Sequence, residues 1–263
     1  MNNFAHLHVH THYSIDGLSE IRALIDKAIA DGMTAMAITE HGNMFGIKYF
    51  IDYAARISER TGKRFTPVVG CEVYLASASR FDRKRKKDRS DSHLILLAKN
   101  KTGYCNLVKL VSFGYTEGFY KKPRIDKEIL EKYREGLIVL SACIAGEIPQ
   151  YILNGDITAA KAAVLWYKER FGDDFYLELQ RHPTGKPGAT TGVFPKQEKV
   201  NRVLMELSKK YEVKCVATNN VHFVHENEAE ALNCRLCFDA ATDRNNPRHL
   251  RYYTREKWLK SPR

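Results

Sequence analysis

A chain of 263 residues with 44% hydrophobic and 11% aromatic content can bury a full-sized core, which excludes a disordered tail and a disulfide-stapled miniprotein. No apolar run approaches the roughly 20 residues that span a bilayer, and the start Met1-Asn-Asn-Phe-Ala-His6 lacks a signal peptide's basic and apolar segments, so a cytoplasmic protein is expected. Lys and Arg number 42 against 31 Asp and Glu, and the resulting +11 favours polyanionic partners, nucleic acid first.

In chain order, a strand is expected over Phe4–His10, an amphipathic helix over Leu18–Ala30 stopped by Asp31-Gly32, a short apolar strand over Thr34–Thr39 and a helix over Phe45–Arg60. A strand over Phe65–Leu75, one over Leu94–Ala98 and a helix over Tyr104–Tyr115 follow. Then come a Lys/Glu-rich helical stretch at Lys127–Arg134 and a strand over Gly136–Cys143. Helices at Ile157–Phe171, Lys196–Lys210 and Asn227–Ala241 alternate with strands at Phe175–Gln180 and Val213–Thr218, and Tyr253–Arg263 carries a charged helical pattern. Seven strands alternating with helices through short links predict parallel βαβ units closed into a barrel, with a doubly wound open sheet as the alternative. No linker divides the chain, so one domain over 1–263 is expected, the front piece of a longer protein.

Two loops interrupt the rhythm. Ser77–Ser92 has no hydrophobic period and crowds Arg80, Arg83, Lys84, Arg85, Lys86, Lys87 and Arg89; it reads either as a solvated, solubilising loop or as a phosphate-backbone contact. Pro183–Pro195 is rich in Gly and Pro. The six cysteines sit mostly in apolar strand or helix patterns, so buried thiols explain them better than disulfides do. Cys234 and Cys237 form a CxxC inside a helical run, without the second pair that a metal site needs.

The chemistry concentrates at strand ends. In Phe4–Ser14 four histidines alternate, and in an extended strand His6, His8, His10 and His12 share a face. Such a row is costly without partners and well suited to a borderline metal. Asp16 and Gly17 follow on a turn. The next strand ends at Glu40 and His41, the third carries Glu72 and the fifth ends at Cys143, while Asn220 and His222 close the last. His93 opens its strand and joins the others only if that segment returns as a hairpin arm. A lone His is more often a hydrogen-bonded structural residue, and a lone Cys a buried thiol. A strand-terminal set of five histidines, two carboxylates and a thiol instead predicts two or three divalent ions sharing a carboxylate, with zinc, manganese and iron all compatible.

His8–Ser14 as HxHxxxS, TEHGN at 39–43, GCEVY at 70–74, Ser92-His-Leu94, Ser141-Ala-Cys143 and ATNNVH at 217–222 resemble the PHP (polymerase and histidinol phosphatase) domain family. Within it the chain is similar to the N-terminal domain of bacterial replicative DNA polymerase III α subunits, through Leu97–Leu107, Leu177–His182 and Glu198–Asn201. The resemblance implies a distorted seven-stranded barrel with a three-metal cleft: His8, His10, Glu72 and residue 220 at one ion, Glu72 with His93 and Cys143 at a second, and Asp16, His41 and His222 at a third. It also implies a metal-dependent phosphoesterase, seen in the polymerase branch as a 3′→5′ proofreading exonuclease. The implied partners are the DNA primer end, the remaining polymerase domains and other replisome subunits, with Arg181 beside the basic loop as a further DNA contact.

The family's final motif normally carries Asp where this chain has Asn220, which predicts weaker occupancy of the first site and reduced hydrolysis. His6, His12, Glu40, His182 and His225 fall outside the matched ligand positions and are read as supporting or surface residues. Two other functions compete: a metal-binding polymerase scaffold that no longer cleaves, favoured by Asn220, and a free-standing phosphatase of the histidinol-phosphate type, opposed by the basic loop and the polymerase-type motifs. DNA synthesis itself is not expected of these residues.

Overall fold

The computed structural model describes residues 4–83, 91–183, 185, 192–239 and 254–262; Lys84, Arg85, Lys86, Lys87 and Arg89 lie outside them. The described elements are α1 (Ile21–Ala30), β1 (Ala35–Ile38), α2 (Ile47–Thr61), β2 (Thr66–Leu75), β3 (Ser92–Ala98), α3 (Lys101–Thr116), β4 (Arg124–Ile125), α4 (Lys127–Lys132), β5 (Leu137–Leu140), α5 (Glu147–Leu153), α6 (Ile157–Phe171), β6 (Phe175–Gln180), α7 (Val193–Tyr211), β7 (Lys214–Thr218) and α8 (Ala229–Asp239). One sheet runs in the order β1-β2-β3-β5-β6-β7, with β4 paired to β2.

The N-terminal segment closes this sheet into a distorted barrel. Ala37 N donates to His6 O (2.8 Å) and Thr39 N to Val9 O (2.8 Å) on one side, while His10 N donates to Val221 O (2.7 Å) and Val221 N to His8 O (3.0 Å) on the other. The expected strand over Phe4–His10 is therefore corrected. The segment passes between two sheet edges, making isolated bridges at His6 and Val9, and does not run along either edge.

Not all strands are parallel. β3 is antiparallel to both β2 and β5, whereas β1–β2, β5–β6 and β6–β7 are parallel. A parallel pairing needs a crossover, usually helical, and Ser77–Ser92 has no apolar period with which to build one. Thus β3 returns as the arm that His93 required, with His93 opposite Tyr74 and Ile95 opposite Glu72.

Side-chain alternation divides the strands between interior and exterior. On β2, Cys71, Val73 and Leu75 face outward, joining Leu94 and Leu96 of β3 in a core under α3, α5, α6 and α7. The inward residues Ile95 and Leu97 pack with Ala37, Leu140 and Ala142 as a small apolar plug inside the barrel. A second outer core holds α1 and α2 through Ile21, Leu24, Ile25, Phe50 and Ile57.

Helix starts follow from local chemistry. Asn100, Asp126 and Asp156 accept hydrogen bonds from the backbone N–H of Gly103, Ile129 and Ala159, satisfying donors that a first helical turn leaves open. α6 then buries Ala160, Ala163, Val164, Tyr167 and Phe171 at helical spacing.

Three further expectations are corrected. The described residues at 254–262 form no helix: Trp258 bridges Phe223, and Leu259 N donates to Phe223 O (3.1 Å). The short β4 and α5 were not read from the sequence. Of the thiols described, only Cys71 is buried, while Cys105 and Cys215 are exposed. Among the described residues, no helix is long and apolar enough to cross a membrane.

Candidate metal centre

Beyond the plug, around Glu72 and His93, buried polar side chains gather. β2 is long enough to carry Glu72 level with the residues that follow β1: Glu72 N donates to Glu40 O (3.0 Å), and Gly42 N to Glu72 O (2.8 Å). His41 and Glu72 are thereby fixed side by side. Asp16 arrives on a loop that doubles back tightly at Gly17, where an added Cβ would lie 2.0 Å from Thr11 O. Only glycine permits that approach.

Glu72, fully buried, is the hub. Its Oε2 lies 3.4 Å from His8 Nε2, 3.0 Å from His10 Nε2 and 3.0 Å from His41 Nδ1, and its Oε1 accepts from His93 Nδ1 at 2.9 Å. Asp16 Oδ2 lies 3.2 Å from His41 Nε2 and 3.4 Å from His222 Nε2. Three groups result, each with donor atoms mutually within 4.8 Å: His8, His10 and Glu72; His41, Glu72 and His93; and His10, Asp16, His41 and His222. Seven of the nine site residues expected from the sequence enter these groups. Cys143 stands near enough to His93 to favour its charge, and Asn220 sits buried two residues before His222.

The outer nitrogens of the imidazoles are oriented by partners behind them. Ser14 Oγ gives its proton to Glu40 (2.5 Å) and so accepts from His10 Nδ1 (3.0 Å), which turns the His10 Nε2 lone pair inward. Glu40 is clamped in turn by the Thr11 N–H and hydroxyl. His8 Nδ1 donates to Glu178 Oε1 at 2.6 Å, and His222 Nδ1 to Asn220 O at 2.8 Å. Metal-binding histidines are held in this way by acceptors at their second nitrogen.

Charge is unevenly distributed. Burial opposes protonation of His8, but the Glu178 and Glu72 carboxylates outweigh it and hold the ring up at about 10. His41 is held at about 10 against burial by Asp16 and Glu72, and His93 at about 9 by Glu72 and Cys143. His10 is driven well down by burial and by the neighbouring His41 and His222, and His222 falls to about 4 through burial and Lys257. Despite burial, the surrounding histidines keep Glu72 well below the usual carboxylate range.

The donors fit divalent cations on their own geometry. His8 Nε2 and His10 Nε2 face each other at 3.2 Å. Glu72 Oε2, His41 Nδ1 and Asn220 Oδ1 are buried without a hydrogen bond, although three ring nitrogens crowd that carboxylate oxygen. Buried polar atoms are rarely left so; nitrogen and carboxylate donors converging from several strands suit zinc, manganese or iron.

Several residues of the site were not read as functional. Glu178 accepts hydrogen bonds from Gln180 Nε2 (2.7 Å) and the Thr218 hydroxyl as well as from His8. Its inward position on β6, two residues before Gln180, was a legible signal. Lys257 had none: it comes from the C-terminal segment, whose Lys257 O accepts from His222 N (2.8 Å), and burial lowers its ammonium although Asp16, Cys143 and Glu72 favour the charge. Of the supporting histidines, His6 Nε2 meets Lys260 O (2.9 Å), and buried His182 is held by Asn219 O (3.0 Å) and the Gln197 amide (2.9 Å).

The basic stretch corrects the expectation for Arg80. Arg80 is buried, its Nε donating to Glu117 (2.6 Å) and its Nη1 to both oxygens of Asp126 (3.1 Å), so it ties β2 to α3 and α4 and presents no guanidinium to DNA. Its spacing among other cations hid two acidic partners about 40 residues away. Arg83 donates to Glu117 O (2.8 Å), and Arg181 is exposed, paired with Glu198 (2.9 Å).

The model of the PHP domain family matches residues 6–182, which contain the first seven of the nine expected site residues. The chain belongs to the PHP domain family. Its PHP motifs extend into longer relatives: it is 42% identical over 263 residues to the DNA polymerase III subunit alpha of Borreliella burgdorferi, covering 99% of this chain and 21% of that protein. It is 41% identical over 264 residues to the same subunit from Thermus aquaticus, covering 98% of this chain and 20% of that one. The chain therefore spans about a fifth of the length of the curated relatives it matches. Among solved structures, an amidohydrolase from Chromobacterium violaceum with bound sulfate and no metal superposes with a TM-score of 0.51 at 12% identity, covering 89% of this chain and 97% of that one, which shows a shared fold.

Proposed function

We propose that this chain is the N-terminal PHP domain of a replicative DNA polymerase of the III α type, and that its histidine mouth hydrolyses phosphodiesters at a DNA 3′ end. The observation that carries this reading is the convergence of seven His, Asp and Glu side chains on one mouth, with Glu72 Oε2 and His41 Nδ1 buried there without hydrogen bonds. His8, His10 and Glu72 would hold one cation, Glu72, His41 and His93 a second, and Asp16, His41, His222 and His10 a third, with Cys143 and Asn220 beside them. Divalent cations in such a cluster supply an activated water and neutralise charge on the scissile phosphate and leaving oxygen.

The chain's own groups complete the site. Ser14–Glu40 and Glu178 hold His10 and His8 in the orientation that faces the mouth. The half-buried Lys257, on the segment that His222 N bonds, adds a positive charge that Asp16 and Glu72 favour and that a phosphate oxygen would meet. The remaining polymerase domains, other replisome subunits and DNA are the partners this reading assigns, in the cytoplasm.

Asn220 favours a second reading, in which the mouth binds metal to stiffen the polymerase and does not cleave. Both are tested by incubating the full-length polymerase chain with a 3′-mismatched primer-template and Mn²⁺ or Zn²⁺, beside a His8→Ala, His10→Ala variant. Mononucleotide release by the intact protein alone, at least about 10³-fold above the variant, is expected from losing metal-assisted hydrolysis. Equal release from both would leave the scaffold.

A further inference from the structure

Next to the metal mouth lies a row of aromatic rings that neither the cores nor the metal donors use. Phe45 (66% exposed), Tyr115 (39%) and Phe119 (50%) follow one another with ring centroids 6.1 Å apart at each step. Phe45 stands four residues beyond His41, on the loop that Asn43 braces through its contacts with the Phe45 N–H and His41 O. Tyr115 and Phe119 come from the end of α3 and the turn after it.

Through the short step from His41 to Phe45 this row lies beside the mouth. The Tyr74 ring packs 5.9 Å from His41 and 5.2 Å from His93 on one side, and Lys122 Nζ lies 4.3 Å above it. The turn carrying Lys121 and Lys122 continues into Pro123, which packs against Gly42, the residue after His41; a Cβ on Gly42 would sit 2.7 Å from Pro123 Cγ. At the far end, Arg83 is anchored on Glu117 O, two residues from Phe119.

Exposed rings interleaved with cations are the chemistry by which single-stranded nucleic acid is held without sequence preference, bases stacking on rings and phosphates meeting the cations. A protein partner fits less well, because lysine is depleted at the centre of protein interfaces. We infer that Phe45, Tyr115 and Phe119, flanked by Arg83, Lys121 and Lys122, form a track on which the bases of a single-stranded DNA 3′ end stack as the end enters the metal mouth. The direction of entry rests on the hydrolytic reading above; the stacking does not.

The test uses the full-length polymerase chain and an oligonucleotide carrying 5-iodouracil at its last three positions, photo-crosslinked in EDTA so that hydrolysis plays no part. Crosslinks are expected on peptides containing Phe45, Tyr115 or Phe119, falling at least about tenfold in a Tyr115→Ala, Phe119→Ala variant. With Mn²⁺, the same variant should raise KM for nucleotide release about tenfold, with kcat within twofold and metal content unchanged. Crosslinks found only elsewhere, or an unaltered KM, would overturn the track, as would protection of these rings from hydroxyl radicals in the DNA-free chain, which would assign the face to the polymerase's own domains. Crosslinking as expected without any nucleotide release would instead overturn hydrolysis and leave the track standing.

Discussion

The histidine mouth and the Arg80–Asp126 cluster are both buried, both charged and both built around the ends of β2, yet they close their hydrogen bonding in opposite ways. Around Arg80 the backbone N–H, Nε and Nη1 all meet carboxylates. The guanidinium meets Glu117 and Asp126, the Arg80 N–H meets Asp126 (2.8 Å), and Asp126 also caps α4 at Ile129 N (3.1 Å). Nearby, Arg124 donates to the carbonyls of Gly118 (3.1 Å), Arg80 (3.1 Å) and Asp82 (2.7 Å). At the mouth, by contrast, Glu72 Oε2, His41 Nδ1 and Asn220 Oδ1 are buried without a hydrogen bond, although ring nitrogens crowd the carboxylate oxygen. A cluster complete in itself holds the fold, whereas one left with convergent donors is fitted to something that comes from outside.

The two clusters therefore answer to different measurements. The largest effect is expected from Asp126→Ala, which strands the buried Arg80 and removes the α4 cap. Denaturant unfolding should show a loss of about 3–5 kcal/mol with metal content per folded chain unchanged, and a loss below about 1 kcal/mol would break the comparison. At the mouth, Glu178→Gln should leave folding nearly intact and weaken Mn²⁺ binding roughly 10–100-fold by titration, because an amide orients His8 less firmly. Unaltered affinity would show that Glu178 supports only the barrel.

Asn220→Asp sharpens the comparison in the other direction. Asn220 has φ 47, a left-handed conformation that Asp tolerates as well as Asn does, so the exchange adds a charge without straining the backbone. Metal content by elemental analysis should rise, with affinity gaining about tenfold from one further anionic ligand; no change would count against a role for position 220. The smallest effect concerns His182, held down at about 3 by burial and by Lys257. Its folded-state value lies below the unfolded one, so its contribution to stability is complete above about pH 6.5 and is lost as the pH falls toward 3. Roughly 1 kcal/mol should disappear between pH 7 and 5.5, and His182→Gln should flatten that part of the stability profile.

The two clusters also differ in how well the sequence announced them. His8, His10, His41, Glu72 and His93 were legible because strand-end histidines and carboxylates recur at positions that a βα barrel brings to one mouth. The arm carrying His93 was foreseeable because a stretch without apolar period cannot form a crossover helix. Arg80 misled, since its cationic neighbours are adjacent in sequence while Asp126 and Glu117 are 46 and 37 residues away. Glu178 was within reach of strand alternation, but the segment carrying Lys257 and Trp258 looked helical and instead pairs with Phe223.

Residue type and spacing alone determined that this is an α/β chain, placed six of its strands among apolar cores on period, and set metal-donor side chains at the strand ends. Those features are local, written in periods of 2.0 and 3.6 and in the side chains that follow each strand. Only tertiary structure decided that the N-terminal segment passes between two sheet edges, and that Arg80 is sealed inside while an aromatic row stays outside. Each of these depends on which distant groups satisfy a buried charge, a balance of desolvation against pairing that is settled only when the chain has closed upon itself.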